Sequence, residues 1–184
     1  MPAHASALTL FATVALALAA DPAAPHFTLE SSGALRLTVS NTDARYEILP
    51  EPFHGRPILG ISLGAIQGEM ALLLYTYADE PLQPGRYPVA SSLPEDRAAG
   101  RWFHPCVIAG TVERPAGFFH GESGWVTITA VEAGRIVGKY EMRARGFLAA
   151  DTTDDDQWVT IRGTFGAAGD SAGATFAAAS AVTQ

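Results

Sequence analysis

His104 and Cys106 stand two residues apart, and on a strand residues i and i+2 point to one face, so an imidazole and a thiol can meet there. With His120 they would make a mixed nitrogen and sulfur donor set, the chemistry that holds late transition metals. Pro105 between them interrupts a regular strand, and isolated histidines in turns are usually solvent-exposed, so the sequence alone assigns no metal and no cofactor. Cys106 is the single cysteine of the chain, so no internal disulfide can form. It reads as a small buried apolar residue.

A second cluster of chemical interest is Asp151, Asp154, Asp155 and Asp156, whose carboxylates suit calcium. The spacing is not that of a D-x-D-x-D-G loop, and a solvated acidic loop is the plainer reading. Aromatic residues make a third group: Trp102, Phe103, Phe118, Phe119 and Trp125, joined by Tyr75, Tyr77 and Tyr87. Such rings most often build a core, and they also hold apolar or sugar ligands. The ligand-binding candidates are Tyr75, Tyr77, Trp102, Phe103 and Trp125. No G-x-S-x-G elbow, dinucleotide fingerprint, phosphate loop, H-E-x-x-H or cysteine pair occurs, and no catalytic residue is assigned.

The elements that must position these residues read as strands. Leu35, Leu37 and Val39 alternate with Arg36, Thr38 and Ser40, which gives one apolar and one polar face. Arg45 to Ile48 resume the alternation, and Pro50 and Pro52 are expected to end it. Ile58 to Ile66 and Ala71 to Tyr77 are apolar in both phases, as in strands covered on both sides or, for the second, a short helix; Tyr75, Thr76 and Tyr77 favour strand. Pro84-Gly85 suits a type II turn with a positive φ at the glycine.

The clearest pattern is a hairpin from Trp125 to Arg145. It assigns Val126, Ile128, Ile136, Tyr140 and Met142 to the core, with Lys139, Glu141, Arg143 and Arg145 in water. A strand from Trp158 to Phe165 would complete an antiparallel meander. Turns between short runs along the whole chain predict an all-β fold, an antiparallel β-sandwich or barrel-like domain of about eight to ten strands.

Ser123-Gly124-Trp125-Val126-Thr127-Ile128-Thr129, followed by Gly138-Lys139-Tyr140 and Gly163-Thr164-Phe165, and preceded by Pro84-Gly85-Arg86-Tyr87, resembles exported, often lipoprotein-like β domains of Gram-negative bacteria. In those an S-G-x-V-x-I-T strand is followed by G-x-F or G-x-Y strands. The resemblance covers roughly Leu82 to Phe165. It implies a β-sandwich or barrel-like domain with no established activity, and it carries over no catalytic residue. The chain departs from many such proteins in having no lipid-acceptor cysteine.

The N-terminus explains the expected address. Residues 1–20 read as a signal peptide: an apolar run from Leu8 to Leu18, then small residues at Ala17, Ala19 and Ala20, without a Lys or Arg at the start. The run is too short for the roughly 20 residues of a membrane-spanning helix. An exported, periplasmic or extracellular location is expected, with no stable membrane anchor in the mature form. Residues 21–25 read as a linker, 26–166 as the β domain, and 167–184 as an Ala, Gly and Ser-rich tail, either a closing strand around Ala174 to Val182 or a frayed end.

The 184 residues carry 19 acidic against 12 basic side chains, net −7, without a basic run, which argues against nucleic acid as a partner. The expected role is therefore non-enzymatic binding of a small ligand or a protein. The alternatives are a hydrolase with a site between Trp102 and His120, and a structural or adhesive surface component.

Overall fold

A computed structural model describes residues 24–53, 55–65, 70–94, 100–110, 115–149 and 156–169. The signal segment, most of the linker, His54, residues 151–155 of the acidic loop, and the tail beyond residue 169 lie outside the described residues. Among the described residues there is no helix. Ten strands join in one sheet: β1 His26–Gly33, β2 Leu37–Asn41, β3 Ala44–Phe53, β4 Arg56–Leu63, β5 Met70–Tyr77, β6 Gly85–Pro88, β7 His104–Gly110, β8 Pro115–Glu132, β9 Arg135–Leu148 and β10 Gln157–Gly169.

The pairings β3-β4-β5-β7-β8-β9-β10 run antiparallel, and a short parallel contact of β10 with β3, Ala168 opposite Arg45 and Gly169 opposite Tyr46, returns the path to its start. The sheet thus closes into a barrel-like ring. One edge of β10 serves β1 as far as Gly166 and then β3, while β8 pairs with β7 through its first half and with β6 through its second. Such a change of partner requires a bend, and β8 shifts register at Gly121/Ser123. Gly124, just beyond, has φ 127°, and a Cβ there would lie 2.3 Å from the Glu141 carbonyl oxygen, so the glycine of the motif is a steric requirement.

Period-2 alternation decides what fills the ring. Val126, Ile128, Ile136, Tyr140, Met142 and Ala144 point inward, as do Val159, Ile161 and Phe165, while Lys139, Glu141, Arg143 and Arg145 are exposed, as the hairpin pattern predicts. Leu29, Tyr46, Ile61, Leu63, Leu72, Leu74, Phe103 and Phe119 complete a single core of packed side chains. β4 and β5 are strands with both faces covered: Ile58, Ala71, Leu73 and Tyr77 alternate with the core residues and are also buried.

Two local expectations are corrected. Pro50 and Pro52 do not end β3, which runs to Phe53; pairing slips between Leu49 and Phe53, so the prolines fall where no ladder N–H is needed. Gly85 is not the positive-φ residue of a type II turn; it opens β6 opposite Ile128 in ordinary strand conformation.

Candidate functional site

The outer face of β6, β8, β9, β10, β1 and β2 is organised by register into two polar rows. Trp125, Glu141, Arg162, Glu30 and Thr38 are successive cross-strand partners. Arg86, Thr127, Lys139, Thr164, Thr28 and Ser40 form the next row. Carboxylate, guanidinium, ammonium and hydroxyl groups therefore alternate on a grid with strand spacing of about 4.8 Å. A trough of about 690 Å³ lies along these rows, with Tyr140 and Gly163 among its lining.

Side-chain contacts hold the grid in place. The Arg162 guanidinium donates to one Glu30 carboxylate oxygen through Nε at 2.8 Å and Nη2 at 2.6 Å. The hydroxyls of Thr28 and Thr164 lie 3.0 Å apart. At one end Arg86 stacks over Trp125 with its guanidinium carbon 4.1 Å from the ring centre, and the indole remains 41% exposed. A large aromatic surface beside a charged and hydroxylated grid can take a ligand with both apolar and polar faces.

Around the barrel, the outer face of β4, β5 and β7 carries a smaller, mostly apolar cavity of about 270 Å³, lined by Ile58, Tyr75, Tyr77, Ser91, Leu93, His104 and Cys106, with Ser92 at its side. Gly60, opposite Tyr75 in the ladder, leaves room for the tyrosine ring, which lies 3.4 Å from where a Cβ would be. The segment Pro88 to Ala90 is strapped down: the Val89 N–H donates to the Gly124 carbonyl, the Ala90 N–H to the Phe103 carbonyl, and the Phe103 N–H to the Pro88 carbonyl.

That strap orients His104. Its Nδ1 lies 3.2 Å from the Ala90 carbonyl oxygen, which only an N–H can satisfy, and so Nε2 is left as an acceptor toward the Cys106 sulfur at 3.3 Å. Burial pulls the His104 imidazole below its ordinary pKa, and His120 adds to that effect against the opposing hydrogen bond to Ala90. Burial pushes the Cys106 thiol up to about 11. Tyr75 is raised too, by burial first and then by Cys106 and Glu47. At neutral pH the arrangement is a neutral imidazole and a protonated thiol.

The five aromatic candidates do not converge. Tyr75 and Tyr77 share the small cavity, with Arg56 3.4 Å above the Tyr77 ring; Trp125 lies at the polar trough; Phe103 is fully buried in the core beside Tyr87; Trp102 is half-buried next to it in sequence. Sequence reading missed Arg86, Glu30 and Arg162 as companions of Trp125. Alternation marks each as outward-facing, but their meeting depends on the β1–β10 and β6–β8 registers, which join residues far apart in the chain. His104, Cys106 and His120, which the sequence reading set aside, are brought together.

No known protein family, no curated protein and no solved structure matches the chain.

Proposed function

We propose that the protein is an exported, non-enzymatic β domain that binds a polar, saccharide-like ligand in the trough beside Trp125. The observation that carries this reading is the pairing of an exposed indole with one cross-strand row of charges of alternating sign and a second row of charged and hydroxyl side chains. Sugars present an apolar C–H face to an aromatic ring and a rim of hydroxyls to charged partners. Five strands at about 4.8 Å spacing span about 19 Å, room for a short oligosaccharide. The signal-like residues 1–20 support export.

The Cys106–His104 contact speaks for a hydrolase, the second reading. A nucleophilic thiol needs thiolate character, and burial raises the Cys106 pKa to about 11, which argues against a cysteine-nucleophile form of that second reading.

The test is a panel of oligosaccharides scored by calorimetry and by indole fluorescence, on the wild type and Trp125→Ala. We expect binding to at least one class of glycan, weakened more than tenfold in the variant. A panel without binders, or a variant that binds equally well, overturns the reading.

A further inference from the structure

We propose that His104, Cys106 and His120 form a transition-metal site of the three-ligand type, and that Zn(II) occupies it with a fourth position open to the adjoining cavity.

The triangle follows from one ladder. Cys106 of β7 and His120 of β8 are direct cross-strand partners, and His104 lies two residues along β7 on the same face. The Cys106 sulfur is 3.3 Å from His104 Nε2 and 3.8 Å from His120 Nδ1, and the three donor atoms all lie within 4.8 Å of one another. With Zn–N of about 2.05 Å and Zn–S of about 2.3 Å at a tetrahedral angle, nitrogen and sulfur ligands sit about 3.6 Å apart, which the two sulfur distances bracket. The third side, between the two imidazole nitrogens, is within 4.8 Å and has to close to about 3.3 Å on metal binding, which ring rotation must supply.

The surroundings fit a metal better than an idle cluster. The hydrogen bond from His104 Nδ1 to the Ala90 carbonyl is the outer contact that metal-bound histidines make, because it fixes the ring and presents the Nε2 lone pair. The two imidazoles lie nearly parallel, ring centres 5.6 Å apart at 27°, and Phe118 packs edge-on against His120 at 4.6 Å. Two neutral imidazoles and one thiolate select zinc or copper over magnesium or calcium. Binding exchanges the Cys106 thiol proton for the cation, and the metal's charge offsets the cost of a buried thiolate. His104 and Cys106 also line the 270 Å³ cavity, where water or a small ligand can complete the coordination.

The test uses the purified full chain stripped with chelator. Zn(II) is titrated against a chromophoric competitor, and Co(II) is added as a spectroscopic substitute. We expect one equivalent of Zn(II) per chain and a cobalt spectrum with a thiolate-to-metal charge-transfer band and intense tetrahedral ligand-field bands. Cys106→Ser should abolish the charge-transfer band, and Cys106→Ser and His120→Ala should each weaken Zn(II) binding more than about 100-fold, beyond the loss seen when only an outer-shell partner is removed. Absence of stoichiometric binding overturns the proposal. So does a wild-type cobalt spectrum without the charge-transfer band, which remains informative if a variant fails to fold. Zn(II) binding unchanged in Cys106→Ser would show that the thiol is not a ligand and overturn it equally.

Discussion

Tyr140 on β9 donates its hydroxyl to the Thr28 carbonyl oxygen on β1, 2.8 Å away, reaching across the intervening strand β10 at Gly163. The phenol is buried, and burial pushes its pKa well above the ordinary tyrosine value of 10.0. Between that value and its own higher one, the folded protein keeps a proton that the unfolded chain releases. Stability is therefore complete below about pH 10 and falls as pH rises above it. Tyr140→Phe should cost about 1 kcal/mol at pH 7 through the lost hydrogen bond and make the alkaline decline shallower. The slope should not vanish, because Tyr75 is shifted the same way. Urea melts at pH 7 and above pH 10 measure both effects; equal alkaline slopes in the two proteins would refute the assignment.

Gly163 is the space that this contact needs. A Cβ at that position would lie 1.9 Å from the Thr28 carbonyl oxygen and 2.6 Å from the Tyr140 hydroxyl. The first neighbour is backbone and cannot swing aside, so Gly163→Ala must push β1 from β10 or twist the strand. A loss of about 3 kcal/mol is expected, at the upper end for overpacking, with a matching fall in midpoint on thermal or urea unfolding. A variant as stable as the wild type would mean that β1 does not sit over β10 as described.

Much of the fold was legible because alternation is a local signal. The inward and outward residues of β9, β10 and the second half of β8 follow from period 2, whereas the first half of β8, beyond the register shift at Gly121/Ser123, lies in the other phase; the double-phase hydrophobicity of β4 and β5 correctly implied cover on both faces. Pro50 and Pro52 misled because a bulge absorbs a missing N–H that a regular ladder could not. The candidate sites were harder to read. Glu30 and Arg162 meet across 132 residues of chain, and no spacing rule reports such a pairing. His104 and Cys106 were visible as an i, i+2 pair; that His120 stands opposite Cys106 depends on the β7–β8 register.

Thr76 shows a place where the sequence favours something other than maximal stability. It is wholly buried on β5, and its hydroxyl has no hydrogen-bond partner among the described residues. A buried hydroxyl left unpaired costs about 1–3 kcal/mol, and valine has the same branched shape without it. Thr76→Val should therefore stabilise the domain by about 1 kcal/mol, a rise of roughly 2–4 °C in Tm by calorimetry. A fall of that size would show that the hydroxyl is satisfied in solution.

The hairpin of β8 and β9 sets burial against charge at adjacent positions, and paired substitutions test that register directly. Ile128 is buried in the core, whereas Arg143 is exposed and rests its guanidinium 4.6 Å from the centre of the Trp158 ring, which is itself 38% exposed. Ile128→Asp places a carboxylate among apolar side chains, and the cost of several kcal/mol is comparable with a domain's whole stability of about 5–15 kcal/mol. That variant should be unfolded by circular dichroism at 25 °C. Arg143→Ala removes an exposed cation–π contact and should cost less than about 1 kcal/mol. A tolerated Ile128→Asp together with a strongly destabilised Arg143→Ala would require the strand to be shifted by one residue, since in a period-2 element that slip exchanges every inward side chain for its outward neighbour. Lys139, Glu141, Arg143 and Arg145 would then line the barrel interior, and the polar rows beside Trp125 would no longer exist on the outer face.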